Sequence, residues 1–252
     1  MTIDDAAATE LARRRREGRR GPRLDPALRP ITLTEAFALQ HRVAVRMGTI
    51  GGWKCSLPAA DRMTAAPIYA STIHRGAHAT VFARGATAPI EPEVAFVLAR
   101  DLGPRTRPYD ADEVLAAIGE THLVLELLGN RYDDPANVPF PEMLADGANN
   151  EGLVVGQVIA QATWPSLEGF PVAIAGTGGF RLERAGRHPD GHPHKPLVWL
   201  ANFLRERGER LRAGQIVTTG SYAGALEVPL ATPLTVTFGA LGVMHVTLDP
   251  AH

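Results

Sequence analysis

The chain has 252 residues, of which 45% are apolar and 21% charged, and its formal net charge is -1. This length suits one large domain or two small ones, and the near-neutral charge gives no reason to expect nucleic acid or a membrane as a partner. The single cysteine, Cys55, excludes an internal disulfide framework and a cysteine-only zinc site. The sequence contains neither a signal-peptide pattern nor a run of ~20 apolar residues, so we predict a cytoplasmic location.

Two helices are predicted at the start of the chain. Residues 5–17 have helical spacing, and the arginine run Arg13 to Arg16 wraps one side of this helix. We interpret the run as a solvated helix face, the alternative being a phosphate site. Residues 21–30 form a proline-punctuated linker. Thr32 and Glu35 then match a capping box, which predicts a second helix over about 33–47.

Beyond these helices, short β-prone runs alternate with turns that contain glycine or proline. The runs are GGWKCSL, IEPEVAFVL, THLVLELL, GLVVGQVI, FPVAIAG, GFRLERAG, QIVTTGS and PLTVTFGALGVMHVTL, the last of which contains a hairpin signal. Further helices are predicted at about 110–119 and 196–207. Many strands, few helices and no regular βαβ alternation predict a β-rich α+β fold. We divide the chain into an N-terminal helical segment, residues 1–50, packed on a catalytic unit, residues 51–252.

Three glutamates stand inside apolar runs: Glu91 and Glu93 in IEPEVAFVL, and Glu126 in LVLELL. Residues two apart in a strand share a face, so Glu91 and Glu93 repel each other unless a cation or a proton intervenes. Three carboxylates favour Mg²⁺ or Mn²⁺ over zinc, which prefers nitrogen and sulfur ligands. The alternative is structural: Glu91 and Glu93 lie on an exposed strand edge, and Glu126 pairs with an arginine such as Arg131.

Three further segments carry polar groups that could act in a site. Lys54 follows a glycine pair and Trp53, so it is either a partly desolvated acid–base group or a snorkelling surface lysine. The segment 216–222, IVTTGSY, offers backbone N–H groups and hydroxyls that suit an anion, although such a motif is often a plain turn. The histidine-rich segment 187–196 lacks a standard zinc spacing, and its prolines predict a loop.

Taken in order, these segments resemble the fumarylacetoacetate hydrolase superfamily, and in particular its branch of 2-oxopent-4-enoate hydratases and 2-oxo-3-enedioate decarboxylases. The resemblance runs from about Thr32 to Leu248. The motifs that carry it are Gly52-Trp-Lys54, Ile90 to Phe96, Glu126 with Arg131, Ala145-Asp146, Trp199 to Asn202 and Ala213 to Ser221. It implies a mixed β-sandwich or roll, like the C-terminal domain of that family, with flanking helices and usually in a homo-oligomer.

The resemblance also implies a metal centre with a catalytic lysine. Glu91, Glu93 and Glu126 match the Mg²⁺ or Mn²⁺ ligands of the family, and Lys54 matches its active-site lysine. The implied reaction adds water to a 2-hydroxy-2,4-dienoate or 2-oxo-enoate and gives a 4-hydroxy-2-oxo acid, a step of aromatic-compound catabolism. The 2-oxo acid head of this small-molecule partner would chelate the metal, and Lys54 would move protons along the carbon chain.

Four more residues are implied in substrate binding. Ser221, with the backbone of Gly220, matches the segment that holds the substrate carboxylate, and Arg131 and Asp146 are expected beside the substrate. Three other functions stay open: decarboxylation of a 2-oxo-3-enedioate, C–C hydrolysis of an acylpyruvate with His74 as the candidate base, and a catalytically inactive partner subunit.

The chain differs from the polar family pattern at three places. Ile68 stands where the family usually has an acidic residue. Gly129-Asn130 replaces Asp-Ser, and Asp146-Gly-Ala-Asn149 replaces Asp-Asn-Ala-Ser. The differences bear on the particular reaction more than on metal binding.

Overall fold

The structure is a computed structural model, and it describes residues 3–60, 62–83 and 85–251. Residues 1, 2, 61, 84 and 252, which fall within the predicted segments 1–50 and 51–252, lie outside the described residues. The helices in the described ranges are α1 (Ile3–Glu17), α2 (Leu33–Met47), α3 (Ala111–Leu115), α4 (Phe140–Ala145) and α5 (His194–Glu206). None of them is long and apolar enough to cross a membrane.

The strands form two sheets. In chain order they are β1 (Ile50–Cys55), β2 (Ala65–Tyr69), β3 (Ile73–His74), β4 (His78–Val81), β5 (Thr87–Leu98), β6 (Ile118–Leu128), β7 (Asn150–Val158), β8 (Gly169–Gly176), β9 (Arg181–Arg187), β10 (Ile216–Thr218), β11 (Leu226–Pro229), β12 (Leu234–Phe238) and β13 (Gly242–Pro250). The first sheet has the order β2-β1-β10-β5-β6-β7-β3, with β11 also paired to β5. The second has the order β4-β13-β12-β8-β9. This mixed, sheet-dominated architecture confirms the predicted β-rich α+β class.

Local signals placed several elements correctly. The capping box of α2 is formed, because Glu35 N–H donates to Thr32 Oγ1 at 3.2 Å and Thr32 N–H donates to Glu35 Oε2 at 2.9 Å. Gly48, with φ of 102°, ends this helix in a conformation that only glycine adopts easily. The hairpin signal is also confirmed, since β12 and β13 pair antiparallel up to Phe238 and Gly242.

Two predictions about helices were wrong, one about where a helix ends and the other about how exposed a helix face is. The helix predicted over about 110–119 ends at Leu115, because Ile118 already pairs with Leu98 as the first residue of β6. The arginine run is not a solvated face throughout, since Arg14 and Arg15 are buried. Arg14 Nη1 donates to the carbonyl of Arg131 at 3.0 Å, so this run anchors α1 to the loop after β6.

Alternate residues of β5 point to opposite sides of the first sheet. Val94 and Phe96 enter the main hydrophobic core, which also takes in residues of α1, α2, α5 and the second sheet. Ala95 joins a smaller apolar cluster on the other side. Glu91 and Glu93 lie on the same face of β5 as Ala95, so their side chains lie on the side of the sheet that carries the smaller apolar cluster. The division into residues 1–50 and 51–252 stays a prediction.

Candidate metal centre

Two neighbouring strands bring the three predicted glutamates together. β5 and β6 pair antiparallel with Glu91 opposite Glu126, and Glu93 lies two residues further along the same face. Each glutamate can offer an oxygen such that the three atoms lie within 4.8 Å of one another. β5 is an interior strand and Glu93 is 1% exposed, so the alternative of an exposed strand edge is wrong.

Lys54 completes this cluster from β1. Pairing of β1 with β10, and of β10 with β5, sets Lys54 in one row with Thr218 and Ala95 on the glutamate face. Its Nζ lies 2.6 Å from Glu126 Oε1 and donates to the carbonyl of Ala148 at 3.1 Å. The side chain is only 14% exposed, so the alternative of a snorkelling surface lysine is wrong. Glu126 therefore pairs with Lys54 and not with Arg131.

The electrostatics of the cluster follow from burial and crowding. Burial is the largest cause, and the neighbouring carboxylate of Glu126 the second, of a raised pKa for Glu91. The same two causes raise the pKa of Glu93 well above its usual range. Burial alone would lower the pKa of Lys54, but the carboxylates of Glu126, Glu91 and Glu93 outweigh it and raise that pKa. The site thus carries more negative charge than one ammonium group neutralises.

The donor set fits a hard divalent cation. Glu126 Oε1 is occupied by Lys54 and by Asn150 Nδ2, which donates at 2.8 Å. Glu126 Oε2 is buried and has no hydrogen-bond partner in the described part of the chain. A buried carboxylate oxygen without a partner is costly, and a cation held by three carboxylates would remove this cost. Glu91, Glu93 and Glu126 are therefore the residues that could hold a metal ion.

The segment predicted to hold a substrate carboxylate lies against the same cluster. Gly220 N–H donates to Glu93 Oε2 at 3.0 Å, which orients that carboxylate. Ser221 Oγ lies 3.1 Å from the carbonyl of Gly224 and 3.4 Å from that of Pro92. Both residues border the metal-ligand face, and their contact with a substrate stays a prediction.

Arg131 and Asp146, which were both expected beside the substrate, contact each other. Arg131 N–H donates to Asp146 Oδ2 at 2.9 Å, and Arg15 Nε donates to Asp146 Oδ1 at 3.1 Å. Asp146 is thereby held by protein groups, and its direct contact with a substrate stays a prediction. Arg131 is buried, yet its Nε and Nη2 have no hydrogen-bond partner among the described residues.

Sequence reasoning missed two groups that shape the site. Asn150 and the Ala148 carbonyl reach Glu126 and Lys54 from residues 24 and 94 positions away in the chain. Contacts of this range leave no local pattern in a sequence. Ile68, in place of the usual acid, is fully buried in the smaller apolar cluster, so the face beside Lys54 is less polar than the family pattern implies.

The acidic cluster found among the described residues contains no histidine, although His188 Nε2 lies 3.4 Å from Thr219 Oγ1, beside Gly220, whose N–H donates to Glu93. His188 is buried, and burial lowers its pKa to about 4, so its ring is neutral near pH 7. His194 begins α5, and the ring centroids of His192 and His194 lie 4.5 Å apart. His74 lies on β3 opposite Val154, on the face of the sheet away from Glu126, which is opposite Leu153.

Comparisons with known sequences give relatives of two activities, although no family model matches the chain. A 2-keto-4-pentenoate hydratase of Paraburkholderia xenovorans (strain LB400) is 31% identical over 132 residues, which are 52% of this chain and 48% of the relative. A 4-oxalocrotonate decarboxylase of Pseudomonas putida is 31% identical over 156 residues, 61% of this chain and 57% of the relative. The match thus spans roughly half the length of these curated relatives.

Solved structures share the fold over most of the chain. A 4-oxalocrotonate decarboxylase from Pseudomonas putida G7, complexed with magnesium and adipate, has a TM-score of 0.80 at 20% identity and covers 97% of both chains. Yeast ynq8, a fumarylacetoacetate hydrolase family protein, has a TM-score of 0.51 at 14% identity and covers 79% of this chain and 92% of its own. The likeness at these identities concerns the fold, and it agrees with the predicted architecture.

Proposed function

We propose that the chain belongs to the fumarylacetoacetate hydrolase superfamily, in the branch of 2-oxopent-4-enoate hydratases and 2-oxo-3-enedioate decarboxylases, and that it is a metal-dependent hydratase. Its substrate would be a 2-hydroxy-2,4-dienoate or 2-oxo-enoate, and its product a 4-hydroxy-2-oxo acid. The observation that carries this proposal is the cluster of Glu91, Glu93 and Glu126 with the Lys54 ammonium 2.6 Å from one of the carboxylates. The hydratase and decarboxylase names of the relatives support the same class of substrate.

Each residue of the cluster has a role in this proposal. Glu91, Glu93 and Glu126 would hold Mg²⁺ or Mn²⁺, and such an ion supplies Lewis-acid stabilisation of negative charge on a 2-oxo oxygen. Lys54 Nζ, the buried ammonium group nearest the ligands, would donate a proton to the carbon chain, and the neutral amine that this leaves would take a proton back. Gly220 N–H and Asn150 Nδ2 fix the carboxylates of Glu93 and Glu126 and so keep the ligand geometry.

Decarboxylation is the second candidate, because a decarboxylase relative matches at the same 31% identity. Acylpyruvate hydrolysis has less support, since His74 lies on the opposite face of the sheet from Glu126. An inactive partner subunit would be expected to lose catalytic groups, whereas Lys54 and all three glutamates are assembled here. A cytoplasmic location and a homo-oligomeric state remain predictions.

The test is turnover of 2-hydroxypenta-2,4-dienoate with Mg²⁺ or Mn²⁺, before and after EDTA, with the product identified by NMR. We expect a 4-hydroxy-2-oxo acid, and loss of turnover on metal removal that added metal restores. Turnover that survives complete metal removal rules the proposal out. Release of carbon dioxide from a 2-oxo-3-enedioate would identify a decarboxylase, and release of pyruvate from an acylpyruvate would identify a hydrolase. A protein that is inactive alone but co-purifies with an active paralogue would be a partner subunit.

A further inference from the structure

The histidine-rich segment is connected to the metal ligands through the residues that follow β10. Gly220 N–H donates to Glu93 Oε2 at 3.0 Å, and Tyr222 N–H donates at 3.1 Å to the carbonyl of Pro92, the residue before Glu93 on β5. The carbonyl of Tyr222 in turn accepts from Arg187 N–H at 2.9 Å. The residues after β10 therefore contact both the metal-ligand strand and the histidine-rich segment.

The ring of His188 is buried in this segment in one defined protonation state. Its Nδ1 accepts from Asp190 N–H at 3.2 Å. A neutral imidazole carries a single proton, so an accepting Nδ1 places this proton on Nε2. Burial lowers the pKa of His188 to about 4, which keeps the ring neutral near pH 7. His188 is therefore a donor through Nε2 alone.

The Nε2 of His188 is directed at the residues that hold Glu93. It lies 3.4 Å from Thr219 Oγ1, and a hydrogen bond to the Thr219 backbone opposes the effect of burial on the pKa of the ring. Thr219 is fully buried and precedes Gly220 in the chain. The donor of His188 thus reaches the residue next to the one that donates to Glu93.

The missing side chain of Gly220 allows this contact. Gly220 has a φ of 127°, a conformation that other residues rarely adopt, and a Cβ atom here would lie 2.9 Å from Pro189 Cγ and 3.6 Å from His188 Nε2. The ring and Pro189 therefore pack directly on the Gly220 backbone, whose N–H is the donor to Glu93. Loss of the ring would leave that backbone free to shift.

The same loop also reaches the strand of Lys54. Asp190, whose N–H holds the His188 ring, accepts at Oδ2 from Leu57 N–H at 3.0 Å. Leu57 lies just beyond β1, three residues after Lys54. The backbone N–H of His188 donates to the carbonyl of Glu168 at 2.9 Å. These contacts fix the loop, so the position of the His188 ring is defined from more than one side.

We propose that His188 is a positioning residue for the metal centre. As a neutral Nε2–H tautomer it holds Thr219 and the Gly220 backbone, so that the Gly220 N–H stays directed at Glu93 Oε2. Groups that orient a metal ligand typically contribute roughly 10–100-fold to metal affinity, because an oriented carboxylate loses less conformational freedom when the ion binds. The inference rests on the proposed function, since the ion belongs to it, and it adds a residue that acts on Glu93 from a distance.

Binding of Mn²⁺ by the natural protein, His188→Asn and His188→Gln tests this, with free Mn²⁺ measured by electron paramagnetic resonance. The Asn side chain can accept from Asp190 N–H at the position of Nδ1, but it is too short to donate at the position of Nε2. The longer Gln side chain can place an amide N–H there. We expect His188→Asn to weaken Mn²⁺ binding by roughly 10-fold, and His188→Gln by less than about 3-fold.

A matched control is His192→Asn, in the same segment. His192 Nδ1 accepts from His194 N–H at 3.3 Å, and its Nε2 lies 3.0 Å from the carbonyl of Trp164, so its ring makes the same two kinds of contact as that of His188. Trp164 precedes β8 and is not one of the residues after β10. This change should leave the Mn²⁺ affinity within about 2-fold of the natural value. The melting temperature of each variant in EDTA reports separately on the stability of the metal-free fold.

A further variant covers the case in which neither His188 variant folds. Thr219→Val keeps the shape of the side chain and removes the hydroxyl oxygen beside His188 Nε2. It should also weaken Mn²⁺ binding by roughly 10-fold. An unchanged affinity in Thr219→Val would then contradict the role given to His188.

The outcomes separate the two proposals. Failure of the natural protein to bind Mn²⁺ overturns the proposed function, and this inference with it. If the natural protein binds Mn²⁺, an affinity that His188→Asn leaves unchanged overturns the role of His188 alone, even where the melting temperature in EDTA falls. Equal weakening by His192→Asn, or by His188→Gln, does the same.

Discussion

The Lys54 ammonium lies 2.6 Å from Glu126 Oε1, although the two residues stand on strands that are not neighbours in the first sheet. The three carboxylates raise the pKa of Lys54 against the opposing effect of its burial. A divalent ion among these carboxylates would cancel much of their charge and so lower the pKa of Lys54. The proposed metal binding and proton transfer would thereby be coupled through Glu126.

Replacement of Lys54 by methionine should remove proton transfer and leave metal binding intact. We expect exchange of the C3 hydrogens of 2-oxopentanoate in D₂O, followed by NMR, to slow by ~10²–10⁴-fold, the usual contribution of a positioned acid–base group. Calorimetry should still detect Mg²⁺ binding. The other lysine of the chain, Lys195, is exposed on α5, and Lys195→Met is the control. Exchange at the natural rate in Lys54→Met would contradict the role given to this residue.

Replacement of Glu93 by glutamine should abolish turnover without unfolding the protein. The variant loses one ligand charge, and it also loses part of the repulsion that raises the pKa values in this cluster. We therefore expect a melting temperature at least as high as that of the natural protein in EDTA, no stabilisation by Mg²⁺, and a loss of ~10³-fold in kcat. Glu206→Gln, at a position 67% exposed on α5, is the control. Near-normal turnover in Glu93→Gln would show that the ligand assignment is wrong.

Stabilisation by Mg²⁺ should grow as the pH rises. Because burial and Glu126 raise the folded-state pKa values of Glu91 and Glu93 above the usual 4.5, their protonation stabilises the metal-free fold. That contribution is full below about pH 4.5 and is lost as the pH rises through the folded-state values. Mg²⁺ replaces the protons, so it should raise the melting temperature more at about pH 8 than at about pH 5.

The measurement is the difference between melting temperatures with saturating Mg²⁺ and with EDTA at each pH. His188 and His194 titrate in the opposite sense, because burial lowers each pKa to about 4 and stability is lost as the pH falls from 6.5 toward that value. Their effect is the same in both solutions and cancels in the difference. An equal difference at both pH values would argue against carboxylate ligands.

Replacement of Arg15 by methionine should destabilise the fold strongly. The change leaves Asp146, which is 1% exposed, without its closest charged partner, and breaking a buried pair from one side costs ~3–5 kcal/mol. Arg13 is on the same helix with a side chain 43% exposed, so Arg13→Met should cost no more than ~1 kcal/mol. Urea unfolding of both variants gives the comparison. Equal stabilities would mean that the arginine run is solvated after all.

Local chemistry explains what was predictable from the sequence. The α2 boundaries followed from Thr32, Glu35 and Gly48, because a helix cap is decided by a few adjacent residues. The shared face of Glu91 and Glu93 followed from the two-residue period of a strand. The strand Ala65–Tyr69 was missed, since alanine and Pro67 carry little β signal, and it forms because β1 supplies its pairing partner.

Contacts between distant segments explain what was not predictable. Arg15 is buried because Asp146, 131 positions later, accepts its hydrogen bond. Glu126 pairs with Lys54 instead of the nearby Arg131, because strand order, and not sequence distance, decides which side chains meet. The bulge that inserts Glu151 as an extra residue in β7 was not predicted, because a bulge has no reliable signature in a single sequence.

The parallel pairing of β1 with β10 joins Gly52 to Ile216, whereas β5 and β6 are consecutive along the chain and pair antiparallel. Consecutive strands close a small loop and can meet early, while the other pairing must wait until β10 has been synthesised. During synthesis on the ribosome, we therefore expect the nascent chain to bring its acidic groups together first. Lys54 would join them only after β10 has bridged β1 and β5, so a nascent chain that lacks β10 would lack the complete site.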